Sequence, residues 1–168
     1  RAATFGFTML GNVIKSSVGA AIQADRSINS LKLVAQSFGI SVADATRATQ
    51  RLSKDGMLTL AQSSNVLQNL LRTGIGLPEA TMALDVMMDR AAFGRKEGVG
   101  FAEAVEKLGE AFLTEMSILG NNAGIQENWS NIIDIGATKM GKATAALTYH
   151  ERQLAKVAGL LEIGKDAQ

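Results

Sequence analysis

Cysteine is absent from the 168-residue chain, histidine and proline occur once each, and aromatic residues make up only 5%. Without a thiol there can be no disulfide, no thiolate nucleophile and no cysteine-ligated metal. That composition suits a reducing cytoplasm or a particle assembled inside one. The single proline, Pro78, leaves long stretches free to be helical. An excess of one charge is missing too: 17 Lys and Arg against 16 Asp and Glu give a net charge of +1, with no long-range field to draw DNA or an anionic bilayer. There is also no long hydrophobic run. Residues 2–14 are mostly apolar, but Lys15, Ser16 and Ser17 interrupt them short of the roughly 20 residues a bilayer span needs. Arg1 with Ala20 and Ala21 imitates the basic start and small-residue cleavage site of a signal peptide, yet Gly6, Gly11 and Gly19 suit close helix packing better. A chain that starts on Arg is expected to be processed or excised from something longer.

Helical periodicity is abundant, and strand patterns are scarce. Phe5, Met9, Val13, Ile14, Val18 and Ile22, then Ile28, Leu31, Ala35 and Phe38, follow helical spacing and predict a long first helix, broken near Gly19 and stopped at Gly39. Ser41 with Asp44 three residues on begins a second helix as a capping-box-like start, and Lys54-Asp55-Gly56 ends it. Thr59 caps a third, carrying Leu60, Val66, Leu67, Leu70 and Leu71 and stopped by Thr73-Gly74. Pro78 suits the first turn of a fourth, with Glu79 at the positive end of its dipole and Ala80, Leu84, Met87, Met88 and Ala91 on one face up to Gly94. The strongest stripe is Phe101, Val105, Leu108, Phe112, Met116 and Leu119, which predicts one helix as far as Gly120-Asn121-Asn122-Ala123-Gly124. Trp129, Ile132 and Ile133 open a helix or short irregular piece. Thr148 and Glu151 form a capping box before Leu154, Val157, Leu160 and Leu161.

Glycines 39, 56, 74 and 94 lie 17, 18 and 20 residues apart, a loose repeat of one short amphipathic helix per interval. Short links make consecutive helices antiparallel neighbours. The expected fold is therefore all-α, stacked antiparallel helical hairpins behind a long N-terminal helix. Residues 1–38 form that helix, membrane-active or bundle-forming, and residues 39–168 the helical-hairpin domain.

Chemistry-bearing constellations are weak. Gly136-Ala-Thr-Lys-Met-Gly141-Lys142-Ala143 approaches a phosphate-binding loop, but Ala143 stands where a hydroxyl must hold magnesium, Thr144 comes one position late, and no βα unit surrounds it. Those glycines are expected to serve as a hinge between helices. Glu103, Glu106 and Glu110 are spaced like ligands but lack a facing set and any histidine, so with Lys107 they read as a wet helix face. His150, in the first turn of the last helix, reads as solvated. Arg90, Arg95 and Lys96 around Gly94 read as a solvated basic loop. Met57, Met82, Met87, Met88 and Met116 read as core filler. No catalytic residue, cofactor site or metal site is expected, and the chain is not expected to be an enzyme.

The succession of these pieces over residues 31–162 resembles the core region of bacteriophage tail tape-measure proteins. It rests on Ser41-Val-Ala-Asp-Ala-Thr, Leu52-Ser-Lys-Asp-Gly56, Asn69-Leu-Leu-Arg-Thr-Gly74, Gly76-Leu-Pro-Glu-Ala80, Phe101-Ala-Glu-Ala-Val, Asn121-Asn-Ala-Gly-Ile125 and Ala146-Leu-Thr-Tyr-His-Glu-Arg-Gln-Leu-Ala155. The resemblance implies a much longer parent chain in the tail lumen of a virion. It would be assembled in the bacterial cytoplasm, contribute to tail assembly, length determination and DNA ejection, and be ejected toward the host envelope. Implied partners are further copies of itself, tail-tube, tail-tip and chaperone proteins, with the host membrane and, transiently, DNA. Two other readings stand beside it: a membrane-inserting module for DNA delivery built on residues 2–22, and an unrelated helical adaptor.

Overall fold

The computed structural model describes the backbone of residues 2–165 and the side chains of residues 18–165. Among the described residues it is all-helical. The order is α1 (Ala2–Ser37), α2 (Val42–Leu52), α3 (Leu60–Leu71), α4 (Leu77–Gly94), α5 (Phe101–Thr114), α6 (Ser117–Ala123), α7 (Trp129–Lys139), a 3-10 turn (Thr144–Ala146) and α8 (Tyr149–Lys165).

Most boundaries follow from local chemistry. Ser41 accepts the Asp44 amide, although the short Asp side chain is not seen returning the bond. Thr59 and Gln62 close a full capping box, as do Thr148 and Glu151, so each pair satisfies two amides that would otherwise lack a partner at a helix start. Pro78 lies in the first turn of α4. Three of the four repeat glycines, Gly39, Gly56 and Gly74, take left-handed φ between 67° and 88° just beyond α1, α2 and α3. Gly94 works differently: a Cβ there would stand 2.9 Å from the Gly124 carbonyl, so its smallness lets the end of α4 meet the turn after α6.

Two expected elements come out otherwise. α1 is not broken near Gly19; the helix runs through it with nothing within 4 Å of the missing side chain. One glycine costs only about 1 kcal/mol, less than its helical neighbours resist. The stripe Phe101 to Leu119 does not form one helix: α5 stops at Thr114, Glu115 takes φ 59°, ψ 22°, and α6 begins at Ser117. Met116 is consequently half-exposed rather than core.

Packing of α1 on α2 and α3, α3 on α5, α4 on α5 and α8, and α7 on α8 surrounds one apolar core. Consecutive helices do stack, and α1, α3 and α5, together with α4 and α8, also meet across intervening elements. Leu67, Leu70, Leu84, Met87, Leu108, Phe112 and Ile132 are fully buried, and Phe112 meets Trp129 edge-on with centroids 5.7 Å apart. α7 and α8 approach closely enough that a Cβ on Gly136 would stand 1.8 Å from the Ala155 carbonyl, and one on Gly159 2.0 Å from that of Ile132. Leu31, Val34 and Ala35 of α1 lie in the same core, so the helix expected over 1–38 contributes its C-terminal part to the unit expected over 39–168.

Candidate functional site

Residues the sequence singles out for chemistry are dispersed or committed to structure. The stretch from Gly136 to Ala143 is the end of α7 and a turn, not a loop after a strand. Gly136 is a contact point inside the helix rather than a hinge, and Gly141, at φ 69°, makes the turn. Lys142 pairs with Glu151 at 2.7 Å, and the Thr144 hydroxyl donates to Asp134, so neither faces an open phosphate cradle. Glu103, Glu106 and Glu110 are exposed, and Glu103 pairs with Lys107 at 2.8 Å, which holds its carboxyl below the usual range. Among the described residues no cluster of three or more potential metal ligands occurs. His150 is exposed.

The basic loop is more structural than its sequence suggests. Arg95 folds back on α4, donating to the carbonyls of Ala91, Ala92 and Val99 at 2.8–3.0 Å, and so caps the helix end. Arg90 donates to the Ile163 carbonyl of α8. Only Lys96 of the three is exposed without a side-chain partner among the described contacts. Of the five methionines expected in the core, Met87 is buried and Met88 partly so, whereas Met57, Met82 and Met116 are 40–51% exposed: Met57 and Met116 lie between helices, and Met82 lies on the open face of α4.

Three features carry the molecule's specific character. The first is a partly buried ionic junction at the end of α5. Lys156 of α8 is 1% exposed, and its ammonium reaches Glu115 at 3.0 Å, the Phe112 carbonyl at 2.8 Å and the Gln153 side chain at 3.0 Å, with the Phe112 ring 5.0 Å away. Arg152 adds a two-pronged contact to the same carboxylate, at 2.8 and 2.6 Å. Arg152 first, then Lys156, hold the Glu115 carboxyl down at about 2, against the desolvation that works to raise it. Burial pushes the Lys156 ammonium below its ordinary value, against the pull of Glu115. Nothing in the apolar count flags Lys156. The signal is positional: residues 153, 156, 157 and 160 share one helix face, and that face is buried.

The second is a polar bridge between α1 and α3. The Gln68 amide and the Ser64 hydroxyl both donate to the Ser27 carbonyl, at 3.1 and 3.0 Å, and Ser30 donates to Gln68 at 2.7 Å. The third is what lies beyond Ser27. From residue 18 to 26 the helix is exposed except for partly buried Ala24, with Val18 and Ile22 about half open to solvent. α1 thus projects from the body as an arm, and the 36-residue helix measures about 54 Å end to end. No helix among the described residues is long and apolar enough to cross a membrane.

A shallow cleft of about 600 Å³ lies between the ends of α4 and α8, floored by Val86 and Leu161 and edged by the almost wholly exposed Phe93. The arrangement defines an all-helical body carrying a projecting helix and pinned by ion pairs between its elements. Compared with family models, curated proteins and solved structures, the chain matches none.

Proposed function

We propose that this chain is a structural segment of a phage tail tape-measure protein, acting in the tail lumen in assembly and DNA delivery rather than in catalysis. The observation that supports it most is the architecture: a helix of about 54 Å joined without interruption to a compact helical body. It agrees with the order of motifs over residues 31–162. A ruler needs residues held extended at about 1.5 Å each, so 168 residues as a rod would reach roughly 250 Å. Folding residues 42–165 into seven short helices removes most of that reach. In this reading the body is a packing, tip-attachment or envelope-passage module, and α1 is the element through which copies associate in the tube. Copies of the chain, tail-tube, tail-tip and chaperone proteins are the proposed partners.

In-frame deletion of residues 39–165 from the gene that encodes the chain tests the reading. Tails of unchanged length that fail to deliver DNA are expected of a delivery module, and tails shortened in proportion would return the segment to the ruler. Normal tails with normal infection would overturn the proposal altogether. The membrane-inserting alternative has its own observation, the half-exposed Val18 and Ile22 on the arm. Release of dye from lipid vesicles by the chain, lost on placing charges at Val13 and Val18, is its test, and absence of leakage counts against it.

A further inference from the structure

The junction between α5 and α6 carries a conformational consequence independent of the proposed function. The stripe Phe101, Val105, Leu108, Phe112, Met116 and Leu119 keeps helical spacing straight through the point where the chain turns. At that point stands Glu115, the one non-glycine residue with positive φ among the described residues, in a left-handed conformation that disfavours any side chain of its kind. The turn folds α6 back: the Asn122 carbonyl, near the end of α6, accepts from the Lys96 amide, which precedes α5. Around the turn Leu113, Met116 and Ile118 are 40–67% exposed, although the stripe would align Met116 with Phe112. The turn itself is held from outside by α8, through Arg152 and Lys156 on the Glu115 carboxylate and Lys156 on the Phe112 carbonyl, and the far end of α6 rests on α4, where Gly124 meets Gly94 and the Arg90 carbonyl. The Trp129 amide, bonded to Ser117 at 3.1 Å, holds the start of α6 from the other side.

We infer that Glu115 is a latch, and that withdrawing α8 from it lets α5 and α6 join into one continuous helix over residues 101–123. The element would lengthen from about 21 Å to about 34 Å. The local sequence favours the straight form, and the ion pairs to α8 favour the bent one. Docking of α8 is therefore the input, and the length of the α5–α6 element the output.

Because the chain has no cysteine, Glu103→Cys and Asn122→Cys introduce a unique pair for spin labels. The expected result in the otherwise unaltered chain is a single short distance. Glu115→Ala, which removes the carboxylate and suits helix, and Arg152→Ala, which removes its bidentate partner, are each expected to add a population near 28 Å, the spacing of 19 residues along one helix. Glu115→Gly controls for simple destabilisation: it also removes the carboxylate but favours the left-handed turn over helix, so its long-distance population is expected to be smaller than that of Glu115→Ala. The inference is overturned if Glu115→Ala and Arg152→Ala retain only the short distance, or lose helical circular dichroism without the long one appearing. A long distance in Glu115→Gly equal to that in Glu115→Ala would overturn it as well.

Discussion

An ammonium group taken out of water survives in a fold only where its charge is matched and its protons are bonded. Lys156 meets both conditions through Glu115, Phe112 and Gln153. Glu115→Gln should therefore cost far more than a surface pair, about 3 kcal/mol, because it leaves a buried charge without its counter-ion. Urea denaturation at pH 7 measures it. The pH dependence has a definite sign. Glu115 titrates at about 2 when folded against 4.5 ordinarily, so its stabilisation is complete above pH 4.5 and lost as pH falls toward 2. The gap between the parent and Glu115→Gln should close over that window; a gap unchanged at pH 2.5 would contradict this account of the junction. This site was barely legible in the sequence. Counting apolar residues sees Val157 and Leu160 but passes over a lysine on the same face, and its partner Glu115 lies 41 positions away, where no local pattern links them. Arg95 escapes for a related reason: a guanidinium that folds back on helix carbonyls looks, in sequence, like a solvated one.

Helix pairs obey simpler rules, and those were largely readable. Caps at Ser41, Thr59 and Thr148 and the stops at Gly39, Gly56 and Gly74 set six of the helix ends because each depends on a few adjacent residues. Periodicity failed only at α5, where a partner distant in sequence imposes the bend. The function of Gly136 was also hidden, since a glycine at a hinge and a glycine at a helix crossing look alike until the neighbour is known. Gly136→Ala or Gly159→Ala should force α7 and α8 apart and destabilise the fold by about 2–4 kcal/mol, readable as a lowered urea midpoint. Gly19→Ala should do the opposite locally: with open space around it, the arm gains helix, by up to about 1 kcal/mol, seen as increased ellipticity at 222 nm without a change in the midpoint. At the α1–α3 bridge, Gln68→Leu takes one of two side-chain donors from the buried Ser27 carbonyl and the acceptor from the Ser30 hydroxyl, and should cost about 1–3 kcal/mol by the same denaturation.

For the molecule as a whole, the division between arm and body is the point on which the proposed function turns. Residues 18–26 make almost no buried contact, whereas Leu31, Val34 and Ala35 are core. Removing residues 1–23 should accordingly leave the denaturation midpoint of the body where it was, while a cut at residue 34 should collapse it. The all-helical class and the long first helix were legible, since both rest on composition and spacing. The three-dimensional order of the helices, with α4 against α8 and α3 against α5, was not, because nothing local encodes which amphipathic faces meet. The central claim, that the chain is a tail-lumen protein, is tested most directly by quantitative mass spectrometry of intact tails purified from cells that make it. The account predicts peptides from residues 27–165 in the particles, at several copies per tail and depleted after DNA ejection. Their absence from purified tails, with the chain recovered only from the surrounding lysate, would contradict it.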